Sequence, residues 1–319
     1  MPTSVHGIHH VTAIAGDPQV NLDFYVGVLG LRLVKKSVNQ DVPDTYHLFY
    51  ADEAGTPGTD LTFFPWPALP PVTLGVGFAV EVPFTIPAGS LGYWQDRLAK
   101  RGVATRPVET RFGETVLPFS DPHGLALAFV ESSAGLAITP WAKSNVPAEH
   151  QARGMHSVRL WERKLANTAV LLTRVMGFEK VGEEDGWHRY GVDGGGPGRW
   201  IDLKDQANAP QGEWGVGGVH HVAWRVNDPT EELLVRRALI DVGLQPTPPI
   251  DRFWFQSVYF REPGGCLFEL ATDGPGFDRD EDMARLGEKL VLAPWLEAQR
   301  PEIEKSLQPL TMPAKESAA

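Results

Sequence analysis

The stretch GIHHVTAI, residues 7–14, returns almost unchanged as GVHHVAWRV at residues 218–226. The echo is part of a larger repetition, and that repetition limits what the chain can fold into. An alternating apolar strand is followed by an amphipathic helix, a short apolar run ending near Gly, and two or three further strands; the pattern occurs four times. Unit one runs from GIHHVTAIA through DPQVNLDFYVGVLG, where Asp17 is the expected N-cap and Val20, Phe24 and Leu29 the expected inner face. Unit two begins LGVGFAVEV, unit three GMHSVRLW and unit four GVHHVAWRV. Turns of acidic-Pro-X-Gly type, DPHG and EPGG, precede the last strands of units two and four.

One strand-helix-strand-strand-strand unit cannot cover the concave face of its own sheet, so the units must pair. The expectation is an α+β fold of four βαβββ modules closed into two open barrels. The polar, Pro-containing segment ITPWAKSNVPAEHQARG separates the halves. The expected division is a two-module domain at 1–139, a linker at 140–153 and a second two-module domain at 154–273. An extension with two short helices follows at 274–319, ending in the disordered tail TMPAKESAA.

Composition removes several functions. A net charge of -11 argues against nucleic acid and anionic membranes as partners. The apolar runs are far shorter than the roughly 20 residues of a membrane helix, and no basic-then-apolar leader opens the chain. The single cysteine, Cys266, rules out an intrachain disulfide and a multi-cysteine zinc site, and suits a reducing cytosol. No dinucleotide, Walker or nucleophile-elbow motif is present, and no helix follows the Gly-rich DGGGPGR. A soluble cytoplasmic protein is expected.

Strand alternation places Ile8, His10 and Thr12 on one face and His9 and Val11 on the other; it likewise opposes His221, Ala223 and Arg225 to His220 and Val222. First strands of two paired units lie side by side, so equivalent histidines meet, and two neutral imidazoles suit a divalent transition metal. The last strand of unit four, GGCLFELAT, supplies Glu269, an acid in an apolar run that needs a partner or a metal; unit two has Ala128 there. Two His and one Glu form the facial triad of non-haem Fe(II), with positions left for substrate and O2. His156 of unit three takes the same strand slot as His10 and competes with it: pairing of units three and four selects His156, pairing of one and four selects His10. The doublet shared by units one and four favours His10. Tyr259, ten residues before Glu269 on the preceding strand, can share a cavity with it, and Arg252 stands just upstream. Both suit the orientation of a phenolate and proton transfer.

These doublets, DRFWFQSVYFREPGGCLFELATDGPGF and the tail LGEKLVLAPWLEAQRPEIEKSLQPL resemble the vicinal-oxygen-chelate superfamily over roughly residues 5 to 310. Within it the chain resembles the hydroquinone-type ring-cleaving dioxygenases, which include (chloro)hydroquinone 1,2-dioxygenases and MhqO-like proteins. The resemblance implies Fe(II), with Mn(II) less favoured, held by His10, His221 and Glu269. It implies supporting catalytic roles for His9, Thr12, His220, Arg252 and Tyr259. The implied partners are an aromatic diol, hydroquinone or a substituted hydroquinone, and O2, giving a ring-opened semialdehyde acid; a homodimer is the expected assembly. The competing functions are a metal-dependent glyoxalase-like lyase or isomerase, and a non-catalytic quinone-binding resistance protein.

Overall fold

In the computed structural model, which describes residues 3–313, each repeat is one βαβββ module. Unit one comprises β1 (Ile8–Ala15), α1 (Pro18–Leu22), β2 (Arg32–Val38), β3 (Tyr46–Ala51) and β4 (Asp60–Pro65). Unit two comprises β5 (Phe78–Pro87), α2 (Leu91–Lys100), β6 (Glu109–Arg111), β7 (Glu114–Ser120) and β8 (Ala126–Ser132). Unit three comprises β9 (Ser157–Glu162), α3 (Leu165–Arg174), β10 (Glu179–Glu184), β11 (Trp187–Gly191) and β12 (Trp200–Asp205). Unit four comprises β13 (Val219–Val226), α4 (Pro229–Asp241), β14 (Ile250–Asp251), β15 (Gln256–Arg261) and β16 (Leu267–Thr272).

The strands form two open half-barrel sheets of eight, ordered β14-β15-β16-β13-β1-β4-β3-β2 and β10-β11-β12-β9-β5-β8-β7-β6. Units one and four share the first sheet, units two and three the second. The division expected at residues 1–139 and 154–273 therefore needs correction, because each of those segments contributes one module to each sheet. The first strand of every module needs an antiparallel partner along its open edge, and a neighbouring module or a distant one satisfies that edge equally well. The segment 140–153 does connect units two and three, and it is ordered. Gln151 bonds the Trp141 amide (2.8 Å), the Trp141 carbonyl (3.0 Å) and the Val146 carbonyl (2.9 Å), while Ser144 Oγ donates to the Gly30 carbonyl (2.7 Å).

Local chemistry explains most of the elements. Asp17 caps α1 as expected, accepting from the Gln19 and Val20 amides, but the helix passes into a π turn over Asp23–Val28. The π turn rotates the inner face, so Leu22, Phe24, Tyr25 and Leu29 are buried and Val20 is exposed. All eight residues of β1 are buried, because helices cover one face and the barrel interior the other. The two sheets are stitched by the loops before β5 and β13, where the Val76 amide bonds the Pro210 carbonyl and the Val72 amide the Val216 carbonyl (both 2.9 Å). A Cβ on Gly75 would lie 2.3 Å from the Pro210 oxygen and one on Gly215 2.4 Å from the Pro70 oxygen, so this crossing requires glycine at both places.

After β16 the chain makes short 3-10 turns and the helix α5 (Arg300–Ser306); the first of the two helices expected there is the single turn Met283–Arg285. This extension is tied to β2 by the fully buried Lys35, whose ammonium donates to the Phe277 carbonyl and Asp280 Oδ1 (both 2.9 Å). Asp280 also accepts from Trp254 Nε1 (3.0 Å). Of the expected disordered tail, only residues 311–313 are described, and the Thr311 amide bonds Gln19 Oε1 (2.8 Å); the remainder lies outside the described residues. No described helix is long and apolar enough to cross a membrane.

Candidate metal centre

The antiparallel pairing of β1 with β13 decides which histidines meet. Its register sets His10 against Ala223 and Thr12 against His221, with irregularities on either side. Between Ile8 and His10 the strand β1 carries one extra residue, His9; between Val219 and His221 the strand β13 carries one extra residue, His220. Each doublet therefore sits on a β-bulge, and a bulge interrupts strict alternation. This corrects the expectation that His9 and His220 point away from their neighbours. His9 Nδ1 lies 2.9 Å from His10 Nδ1, and His220 Nδ1 lies 2.8 Å from His221 Nδ1.

With both Nδ1 atoms engaged, the Nε2 atoms of His10 and His221 turn to a common centre and approach each other to 3.3 Å. Glu269 comes from β16, which pairs with β13 in parallel and sets Glu269 against Ala223. Its Oε2 lies 3.0 Å from His221 Nε2 and 3.4 Å from His10 Nε2. Ser257 on β15 donates to the other oxygen, Oε1, at 2.6 Å. All three residues are buried, and Oε2 has no hydrogen-bond geometry to any described group although the two imidazoles are within ion-pair distance. Two imidazole nitrogens and a carboxylate oxygen converging on one buried point fit a divalent cation. Among the described residues no other His, Cys, Asp and Glu set gathers three ligand atoms so closely.

The electrostatics agree with that donor set. Burial raises the Glu269 carboxyl, but His10 and His221 outweigh it and hold it well below the usual carboxylate range. Burial, then the neighbouring His10, pushes His9 down to about 3; burial, then His221, does the same to His220. Both are neutral at pH 7, so each can accept a hydrogen bond from the Nδ1–H of its neighbour. His9 packs on Phe255 (5.3 Å between centroids) and His220 stacks on Trp214 (4.3 Å).

A cavity opens above the three residues, walled by Phe49, Phe64, Trp254 and Phe255. Tyr259 and Arg252 line it as expected: Tyr259 pairs with Glu269 across β15–β16, and its ring lies 5.6 Å from that of His221. Burial, then Glu269, raises the Tyr259 phenol above its usual value, so it remains a proton donor. Arg252 stands 5.4 Å over the Tyr259 ring and is held bidentately by Asp41 (2.9 and 3.1 Å). Thr12 faces His221 across the strands and bonds Thr62 Oγ1 (2.7 Å). His156 lies in the other sheet, with Nε2 3.0 Å from Glu114. Its expected slot also needs correction: it follows Gly154 by two residues as His9 follows Gly7, so Ser157, not His156, stands at the place of His10.

Sequence reasoning missed the cavity residues Asn39, Gln40, Asp41 and His47 from unit one, and Ser257, which supports Glu269 from outside the cavity. Asn39 to Asp41 sit in a loop whose placement has no periodic signal. His47 was readable in principle, as a lone histidine in the alternating strand YHLFYA.

Residues 7–129 match the model of the Glyoxalase/Bleomycin resistance protein/Dioxygenase superfamily. The chain is 44% identical over 309 residues to a Bacillus subtilis protein named "Putative ring-cleaving dioxygenase MhqO", covering 97% of this chain and 98% of that one. It is 34% identical over 317 residues to the chlorohydroquinone/hydroquinone 1,2-dioxygenase of Sphingobium indicum, covering 96% and 97%. A crystal structure titled as a putative dioxygenase from Bacillus subtilis superposes with a TM-score of 0.93 at 43% identity, over 98% of this chain and 99% of that one. A match of this extent and identity is one of common descent, and the chain belongs to the Glyoxalase/Bleomycin resistance protein/Dioxygenase superfamily, alongside members that carry ring-cleaving dioxygenase names.

Proposed function

We propose that this protein is an Fe(II)-dependent, extradiol-type ring-cleaving dioxygenase acting on hydroquinone-like aromatic diols. The observation that carries the reading is the convergence of His10 Nε2, His221 Nε2 and the orphan Glu269 Oε2 beneath an aromatic-walled cavity. Fe(II) bound by these three atoms supplies Lewis acidity toward a diol oxygen and the redox couple that O2 activation needs. His9 and His220 hold the two ligand rings in the orientation that aims Nε2 at the centre, and Ser257 does the same for the carboxylate.

The aromatic walls position the flat ring of the diol by burial and edge or face contact. A para-diol cannot chelate a metal through both oxygens, so protein groups must orient it. Tyr259, kept protonated, donates a hydrogen bond beside the ligands, and the Arg252 cation favours the ionised form of a phenolic oxygen at that end of the cavity. The product of this reading is a ring-opened semialdehyde acid.

The test is anaerobic reconstitution with Fe(II), followed by oxygen-electrode and product analysis with hydroquinone, its methyl and chloro derivatives, and catechol. Oxygen uptake matched to hydroquinone loss is expected. Turnover without oxygen, or activity confined to catechol, would overturn the reading.

A further inference from the structure

We propose that His47 recognises the hydroxyl of the para-diol that the metal does not hold; the inference rests on the functional reading above. Arg252 and Tyr259 stand beside His221, at the ligand end of the cavity. The remaining walls are the apolar faces of Phe49, Phe64, Trp254 and Phe255. A hydroxyl buried against them without a partner would weaken binding, so a polar group must meet it.

Few polar side chains face that space, and most are committed. Gln40 Nε2 donates to the Arg252 carbonyl (2.9 Å), and the Asp41 carboxylate is held by the Arg252 guanidinium. Asn39 Oδ1 accepts from the Asp41 and Val42 amides (2.9 and 3.1 Å), leaving only its amide group. His47 is held differently. Its ring lies between Phe49 and Phe64, with centroids 3.8 and 4.4 Å away. Its Nε2 bonds Thr62 Oγ1 (2.9 Å), which bonds Thr12 Oγ1 (2.7 Å), and both threonines are fully buried.

These contacts fix the ring and leave Nδ1 with no hydrogen bond to a described residue. The two hydroxyls can reverse their direction together, so Nε2 either donates to Thr62 or accepts from it. Nδ1 then either accepts from a phenolic O–H or donates to a phenolic oxygen. A neutral imidazole pinned at one nitrogen and open at the other is organised for a ligand, since little conformational entropy is lost when it binds.

The test compares hydroquinone with phenol, which lacks that hydroxyl, by calorimetric titration of the metal-free and the anaerobic Fe(II)-loaded protein. Wild type should bind hydroquinone more tightly, and His47→Phe should cut that preference roughly tenfold, the loss of one hydrogen bond to a neutral group. His47→Gln, which keeps a polar group, should recover part of it, with metal content unchanged in both. In turnover, KM for hydroquinone should rise while catechol kinetics stay put. Should His47→Phe not fold, Thr62→Val, which frees the ring, should show a smaller loss in the same ratio. Equal wild-type affinity for the two phenols, an unaltered ratio in His47→Phe, or a loss in Asn39→Ala in its place would overturn the assignment. Wild-type protein that prefers hydroquinone but consumes no oxygen would overturn the dioxygenase reading while leaving the His47 contact supported.

Discussion

The two half-barrels are built alike and filled oppositely. The pairing registers match position by position: Glu81 faces Arg159 across β5–β9 as His221 faces Thr12 across β1–β13. Ala128 pairs with Pro83 as Glu269 pairs with Ala223, and Ser157 pairs with Trp200 as His10 pairs with Asp60. Even the bulge before His221 has its counterpart, between Ala79 and Glu81. The three converging donors of the first barrel thus become Ser157, Glu81 and Ala128 in the second. There the interior is occupied by internally paired charges: Arg159 with Glu81 (2.9 Å), Arg189 with Asp202 (2.8 and 3.0 Å) and His156 with Glu114 (3.0 Å). One barrel keeps a carboxylate oxygen unpaired around a gap suited to a cation; the other supplies its own cations as arginines. Two copies of one architecture thus hold opposite interiors, one with converging unpaired donors and the other with charges paired among themselves.

The sharpest way to break this contrast is to remove a carboxylate from each barrel. Glu269→Ala should lower bound metal at least about tenfold and abolish ring cleavage, with modest loss of stability, because of its two oxygens only Oε1, held by Ser257, has a hydrogen bond to lose. Glu81→Ala should leave metal content intact but cost about 3 kcal/mol of stability, because it removes the buried carboxylate that Arg111 and Arg159 share. Metal analysis by mass spectrometry beside urea denaturation reads both; equal metal loss in the two variants would remove the distinction between the barrels.

Acid separates them less drastically. His9 and His220 sit at about 3 in the fold against an ordinary value of 6.5, so the unfolded chain takes up protons that the folded chain does not. Their contribution to stability is complete above about pH 6.5 and is lost as pH falls toward 3. In the second barrel the carboxyls of Glu81 and Glu114 are lowered: burial raises each, but Arg111 and Arg159 outweigh it at Glu81, and His156 and Arg189 at Glu114. Their contribution is therefore lost only as pH drops below the ordinary carboxylate value near 4.5. The double variant His9→Asn/His220→Asn should reduce the loss of thermal midpoint between pH 6.5 and 4.5, to which His47, His156 and His221, also lowered by burial, still contribute, and leave the steeper loss below it. Identical profiles for variant and wild type would contradict this assignment.

The smallest effect is expected at the cavity mouth. Asp41→Asn removes the exposed partner that steers Arg252, and an exposed pair of this kind is worth under about 1 kcal/mol. A rise of a few-fold in KM for hydroquinone at unchanged metal content is the expected steady-state result.

What the sequence disclosed follows from chemical oddity. The His-His doublets and Glu269 stand out because apolar strands rarely carry such groups without cause, and the four modules stand out because turn chemistry recurs with them. Glu81 has the same signature, an acid inside FAVEV, so the signature alone does not separate a metal site from an internal ion pair. The order in which modules pair was not legible, since every first strand has an equivalent edge to offer. The bulges at His9 and His220 were hidden as well, because a bulge belongs to two strands and is invisible in either alone. Loop residues such as Asp41 reach the cavity through tertiary placement that no periodicity encodes.

The interleaving of modules also sets a timetable for biosynthesis. His10 is made well before Glu269, and β1 obtains its partner β13 only after units two and three have been translated. At ordinary elongation rates that delay is on the order of tens of seconds. Throughout it β1 presents an unpaired edge, which is a template for pairing with other chains. Severing the chain within residues 140–153 yields two polypeptides, neither of which carries all of His10, His221 and Glu269, so on the proposed function metal retention reports their reassembly.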